Sequence, residues 1–140
     1  MNPPISVTCA VILNESDQIL VVRRSANMSM PLKWEFPGGK LNEDESEEEG
    51  IKREIKEELC IDINVMVRLT DTIYKYESFS IKLIPFVCEI IRGNIKLVEH
   101  DQLRWMDKKE LLELDWAAAD LPIVNEIMGE KMNKLLRLNR

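Results

Sequence analysis

Residues 39–60 read GKLNEDESEEEGIKREIKEELC, and this stretch carries the clearest structural signal in the chain. Ser46 is followed three residues later by Glu49, which is the spacing of a capping box at the start of a helix. Apolar residues then recur every four positions from Ile51, as expected for one buried helical stripe. The segment therefore predicts a helix over Glu47 to Leu59 that packs its apolar side inward.

The same helix carries a cluster of carboxylates. At about 100° per residue, Glu54, Glu57 and Glu58 share an arc beside the apolar stripe, while the lysines of the helix point away from it. Three neighbouring carboxylates repel one another, so the cluster predicts a bound cation. Oxygen ligands suit Mg²⁺ or Mn²⁺. His100 is the single histidine, which argues against a histidine-rich zinc centre; we expect it in a surface loop.

The charge of the chain is concentrated in this region. The 140 residues have a net charge of −6, and the segment Glu43–Glu58, with nine acids and three bases, accounts for all of it. Long nucleic acids favour basic faces, so binding to a nucleic-acid polymer is not expected. An acidic cluster can meet phosphate groups where divalent cations bridge the two. The alternative is a solvated acidic face with no ligand.

Length and composition indicate one globular domain over residues 1–140, with 45% hydrophobic residues. The longest uninterrupted apolar stretch, Cys9–Leu13, is far shorter than the roughly 20 residues that span a bilayer, so no membrane association is expected. The first residues lack the basic start of a secretory signal, and we therefore expect a cytoplasmic location. Cys9, Cys60 and Cys88 match neither a disulfide framework nor a zinc site and are interpreted as reduced thiols.

Outside the helix at 47–59, the chain is predicted to be mostly strands in one α+β unit. Strands are expected over Ile5–Leu13, Gln18–Arg24, Ile61–Val67, Thr72–Ser78, Ile81–Ile91 and Ile95–Val98. The proline- and glycine-containing segment Asn27–Gly39 should form a loop, and Pro85 should mark an edge strand or a bulge. A short helix over Lys108–Leu114 and a longer one over Leu121–Leu138 should follow.

The spacing of the polar residues resembles the Nudix box. The matching positions are Gly39, Glu45, Arg53-Glu54-Ile55, Glu57-Glu58 and Ile61. Cys60 stands where the family has glycine, a residue that suits a left-handed helix cap. Flanking segments, including Trp34–Lys40 and Arg104–Met106, are similar to the MutT and CTP pyrophosphohydrolase branch. This resemblance implies a mixed β-sheet sandwiched between α-helices (α/β/α), and hydrolysis of a nucleoside triphosphate to the monophosphate and pyrophosphate.

The resemblance also implies roles for the residues of the box. Glu57, Glu58 and the Gly39 carbonyl would hold Mg²⁺, for which Mn²⁺ would substitute. Glu54 would bind the metal or orient the attacking water, and Arg53 would organise Glu54. Divalent ions would neutralise the anionic substrate and lower the pKa of bound water.

Further roles follow for residues outside the helix. Glu99 would assist metal binding or act as the general base, and Lys40 would touch phosphate. Arg23 would face the nucleotide, and Phe36 would stack on the base or belong to the core. Asp120 would contact the base, or else cap the helix that begins next to it.

Two other functional classes remain open. One is a Nudix hydrolase for dinucleoside polyphosphates or nucleotide sugars, which the short chain disfavours. The other is a nucleotide-binding module without turnover, which the complete set of glutamates disfavours. In each case the partner is a small nucleotide, and the protein would be a monomer or a homodimer.

Overall fold

One mixed β-sheet forms the centre of the protein in a computed structural model that describes residues 2–129. Its strands are β1 (Ile5–Leu13), β2 (Ile19–Arg23), β3 (Trp34–Glu35), β4 (Gly38–Lys40), β5 (Asp62–Arg68), β6 (Thr72–Lys75), β7 (Ser80–Arg92) and β8 (Gln102–Met106). The α-helices are α1 (Glu47–Leu59) and α2 (Leu121–Met128).

The parallel pair β1 and β7 lies at the middle of the sheet, with Ile5 opposite Ile81 and Leu13 opposite Glu89. The other edge of β7 pairs antiparallel with β5 and β6. The other edge of β1 pairs with β2 and with the short strand β4. Strand β2 also pairs with β3 and β8. The pairing with β4 places the Gly38–Lys40 backbone against β1, close to the start of α1.

Both faces of the sheet are covered, so successive apolar residues of β1 point alternately into two different cores. Cys9, Val11 and Leu13 belong to a core shared with Ile123, Val124 and Ile127 of α2. Ala10 and Ile12 belong to the opposite core, shared with Ile51, Ile55 and Leu59 of α1. The predicted α+β class, with a mixed sheet between helices, is confirmed.

Helix α1 has the predicted bounds because both of its ends are capped locally. The Glu49 backbone N–H donates to the Ser46 hydroxyl at 3.1 Å, and the Ser46 N–H donates to the Glu49 carboxylate at 2.9 Å. At the other end Cys60 has a φ of 62°, the left-handed conformation that glycine usually supplies. Its N–H donates to the Lys56 carbonyl at 3.1 Å.

Several predicted elements differ from the structure. The expected loop before α1 contains β3 and β4, and strand β8 was not predicted. Residues Ile95–Val98 form no strand; there the Lys96 N–H donates to the Leu59 carbonyl at the end of α1. Pro85 is on the central strand β7 and not on an edge. Its carbonyl accepts a hydrogen bond from the Leu69 N–H, which lies between β5 and β6. Because the strand pairing is interrupted there, β7 tolerates a proline that has no N–H to donate.

The carboxyl-terminal prediction is confirmed in part. Residues Lys108–Glu113 form a 3₁₀ helix, and α2 starts at Leu121 as expected. The predicted continuation of that helix from residue 130 lies outside the described residues. Within residues 2–129, no helix has the length and apolar character needed to cross a membrane.

Candidate active site

A cavity of about 300 Å³ opens between α1, strands β3 and β4, and the segments that follow β2 and precede β8. Its lining residues are Arg24, Met28, Glu35, Gly38, Gly39, Glu54, Glu57, Glu58, Val98 and Glu99. The structure therefore brings together the three glutamates of α1, Gly39 and Glu99, all of which were predicted site residues. Glu99 comes from a segment forty residues after the helix.

Gly39 is in direct contact with the glutamate cluster. A Cβ atom at Gly39 would overlap the Glu54 carboxylate, so a side chain does not fit there without moving Glu54. The Gly39 carbonyl accepts a hydrogen bond from the Thr8 hydroxyl at 3.2 Å on the neighbouring strand β1. Glycine is needed here because the strand backbone and the carboxylate approach so closely.

Arg53 makes hydrogen bonds to several of the acidic side chains around it. Its guanidinium makes two hydrogen bonds to Glu45, at 2.6 and 2.9 Å, and one to the Lys40 carbonyl at 3.0 Å. The remaining nitrogen donates to Glu54 at 2.9 Å and to Glu57 at 3.3 Å. Hydrogen bonds from Arg53 lower the pKa of Glu45 to about 2. Arg53 thus holds Glu54 in place without neutralising the whole cluster.

Glu58 is the carboxylate of the cluster whose ionised form is least favoured. Burial, together with repulsion from Glu35, Glu54 and Glu99, raises its pKa to about 9. Its Oε2 atom is buried and has no hydrogen-bond partner in the described part of the chain. Burial also raises the pKa of Glu54, against the opposite effect of Arg53. A cation in the cavity would favour the ionised carboxylates and so lower these raised pKa values.

The carboxylates line the cavity without converging on one point. Among residues 2–129, no three acidic, histidine or cysteine side chains are arranged to hold a metal ion. Glu54 and Glu57 instead turn towards Arg53. Metal binding would need side-chain rotations, for which the 60% exposed side chain of Glu57 has room.

Three charged or ionisable residues at or directly behind the cavity wall were not predicted as site residues. Arg24 donates to both oxygens of Glu35, at 2.9 and 3.1 Å, and Glu35 contacts His100 Nε2 at 2.8 Å. The expectation of a surface histidine was wrong, because the His100 side chain is fully buried. One sequence signal was available: Glu35 is a charged residue between Trp34 and Phe36, and a charge among apolar strand residues needs a partner when buried.

The predicted substrate contacts lie outside the cavity lining. Arg23 makes a two-point ion pair with Asp101 at 2.8 and 2.9 Å. Lys40 is exposed on β4. The Phe36 ring is buried and packs against Trp116 with ring centroids 4.8 Å apart.

Asp120 is buried and does not cap α2 with its side chain. Its carboxyl group accepts a hydrogen bond from the Phe36 backbone N–H at 2.8 Å. Burial, and to a lesser extent repulsion from Glu35, raises its pKa to about 8. At neutral pH this carboxyl group is therefore mostly protonated, and it can both donate and accept hydrogen bonds.

Comparison with known proteins identifies this chain as a hydrolase that acts on phosphoric anhydrides. The chain belongs to the NUDIX domain family, whose model matches residues 3–127. It is 30% identical to the CTP pyrophosphohydrolase of Escherichia coli K12 over 120 residues, which cover 86% of this chain and 89% of the relative.

Two further comparisons agree. The 8-oxo-dGTP diphosphatase of E. coli K12 is 28% identical over 123 residues, covering 88% of this chain and 95% of that enzyme. The crystal structure of the MutT protein from Methanosarcina mazei Go1 superposes with a TM-score of 0.78 at 29% identity, covering 94% of this chain and 96% of that one. The predicted family and enzyme class are thereby confirmed.

Proposed function

We propose that the protein hydrolyses a nucleoside triphosphate to the monophosphate and pyrophosphate in the presence of Mg²⁺, with Mn²⁺ as a substitute. One observation carries the proposal: five glutamates line a single cavity, and a buried oxygen of Glu58 has no partner among the described residues. Such a site repels a polyphosphate when empty of cations and attracts it once they are present.

The metal would be held by oxygen atoms only. Glu57, Glu58 and the Gly39 carbonyl are the proposed ligands, with Glu54 as a further ligand or as the residue that orients water. When bound, the ion polarises phosphoryl oxygens and lowers the pKa of a bound water. The unpartnered Glu58 Oε2 supports this set, since a buried carboxylate oxygen needs a positive or hydrogen-bonding partner.

The remaining polar groups would guide the attack of water on a phosphorus atom. Glu54 or Glu99 would accept a proton from the attacking water as the bond between the α- and β-phosphoryl groups breaks. Arg53 supports Glu54 in this role through the hydrogen bond at 2.9 Å. Lys40 would contact phosphate. Arg23 would face the nucleotide, which requires opening its ion pair with Asp101.

Asp120 is the proposed contact to the base, and Phe36 supports it through its backbone N–H. A protonated carboxyl group pairs with a base edge that offers an acceptor beside a donor, and both cytosine and guanine offer one. The named relatives act on CTP and on 8-oxo-dGTP, so we propose a substrate of the cytosine or the oxidised guanine type.

The proposal is tested by measuring pyrophosphate release from CTP, dCTP, 5-methyl-dCTP and 8-oxo-dGTP with Mg²⁺. Glu57→Gln should lower the rate at least about 100-fold while the protein stays folded, because it removes a ligand charge. Glu48→Gln is the matched control, since Glu48 is an exposed glutamate of the same helix outside the cavity. Background release by the wild type across the panel would refute the proposal.

A further inference from the structure

His100 lies directly behind the wall of the cavity. Its side chain is fully buried, and it is absent from the lining, so it cannot touch a substrate held there. It follows Glu99, which does line the cavity. The imidazole fills the space between two carboxylates that belong to the wall, Glu35 on β3 and Glu58 on α1.

The two sides of the imidazole differ. Nε2 makes a hydrogen bond to Glu35 at 2.8 Å. Nδ1 is 3.8 Å from Glu58 Oε1, which is too long for a hydrogen bond, and Nδ1 has no partner among the described residues. The ring therefore packs against Glu58 without competing for its oxygens, and Oε2 of Glu58 stays available for another ligand.

Glu35 in turn connects His100 to the segment after β2. Arg24 pairs with Glu35 through a guanidinium nitrogen and donates to the Ser29 hydroxyl at 2.9 Å. A continuous series of polar contacts thus runs from Ser29 through Arg24 and Glu35 to His100, which adjoins Glu58. Removing the imidazole would leave Glu35 without one of its two partners and would open a space beside Glu58.

We propose that His100 is a positioning residue for hydrolysis, because it fixes the distance between Glu35 and Glu58 and so holds Glu58 in its ligand position. This inference rests on the proposed function, in which Glu58 binds the metal. Groups that orient metal ligands contribute about 10–100-fold to metal affinity or activity, which sets the expected size of the effect.

Three substitutions separate the roles of the ring. His100→Leu removes both nitrogens while keeping apolar volume. His100→Gln places an amide nitrogen near the position of Nε2 and can still donate to Glu35, whereas the shorter side chain of His100→Asn reaches only the position of Nδ1. Each variant is compared with wild type for Mn²⁺ affinity by calorimetry without nucleotide, and for kcat and KM with nucleotide and Mg²⁺.

We expect His100→Leu and His100→Asn to weaken Mn²⁺ binding and lower kcat by about 10–100-fold, with KM for the nucleotide within about threefold of wild type. His100→Gln should restore both quantities to within about threefold, because it keeps the hydrogen bond to Glu35. Cys88→Ala is the control for a general loss of core packing. Cys88 is fully buried beneath α1, away from the cavity, so its variant should melt earlier yet bind Mn²⁺ as wild type does.

The outcomes distinguish the two proposals. Wild-type Mn²⁺ affinity and kcat in His100→Leu, or a glutamine variant no better than the asparagine variant, would overturn the positioning role alone. If His100→Leu does not fold, the comparison of His100→Gln with His100→Asn decides. A wild-type protein that binds no Mn²⁺ would instead overturn the proposed function, and the role of His100 with it.

Discussion

Replacing Asp120 by asparagine should make the protein more stable, and more so as the pH rises. Asp120 is buried, and its pKa is raised from 3.8 to about 8. Asparagine has nearly the same shape and keeps an oxygen that can accept from the Phe36 N–H, a hydrogen bond of 2.8 Å in the wild type. The variant therefore removes a titrating group without removing its main contact.

The sign follows from proton linkage. Between pH 4 and 8 the folded state keeps the Asp120 proton while the unfolded state loses it, so the free energy of unfolding falls as the pH rises. Each pH unit is worth about 1.4 kcal/mol, so the interval from the ordinary pKa of 3.8 to pH 7 corresponds to at most about 4 kcal/mol of unfolding free energy. We therefore expect the difference in the free energy of unfolding between Asp120→Asn and wild type to grow by about 2–4 kcal/mol from pH 4 to pH 7.

The assay is urea unfolding of both proteins from pH 4 to pH 8 without divalent metal. Asp101→Asn serves as a control without pH dependence in this range, because the hydrogen bond from Arg23 lowers the pKa of Asp101 below its ordinary value of 3.8. The stability that Asp101 contributes is therefore constant from pH 4 to pH 8 and is lost only at lower pH, as the pH falls through its folded pKa. A difference between Asp120→Asn and wild type that stays constant from pH 4 to pH 8 would show that the folded protein tolerates the ionised carboxylate, and would refute the reasoning.

Two further substitutions test the backbone around the site. Gly39→Ala should lower the rate of hydrolysis at least about tenfold with the fold retained, because the added Cβ displaces the Glu54 carboxylate. Circular dichroism checks the fold and pyrophosphate release measures the rate. Full activity of the variant would contradict this prediction. Cys60→Gly should raise the free energy of unfolding by about 0.5–1 kcal/mol. The left-handed φ of 62° at this position is unfavourable for cysteine, whereas glycine adopts it freely. Urea unfolding at neutral pH measures this effect, and an unchanged or lower stability would contradict it.

The parts of the fold that the sequence predicted are those specified by local patterns. Helix α1 is marked by its capping box and by one apolar stripe, so its ends could be assigned to the residue. The strand pair around β1 and β7 is rich in apolar residues because both faces of the sheet are covered. Strand β8 was missed because its short sequence carries polar residues, and it is a strand only because β2 offers an edge for pairing. Conversely, Ile95–Val98 looks like a strand but finds no partner strand.

The candidate site could be predicted where its residues share one helix, and less well where they meet across the sheet. Glu54, Glu57 and Glu58 are neighbours by helical geometry alone. The contact between Glu35 and His100 joins residues 65 positions apart, and no periodicity indicates it. Arg23 and Arg24 are adjacent, yet only Arg24 lines the cavity, since successive residues along an extended chain point to opposite sides. The sequence offered both arginines and gave no basis for choosing between them.

In the proposed function, the glutamates of α1 are tolerated together because divalent cations bind among them. Calorimetric titration of Mg²⁺ and of Mn²⁺ into the wild-type protein, with and without a nucleotide, tests this most directly. We expect saturable binding of at least one ion per chain, and its loss in a variant that combines Glu57→Gln and Glu58→Gln. Wild-type protein that takes up neither ion, in the presence or absence of nucleotide, would contradict the claim.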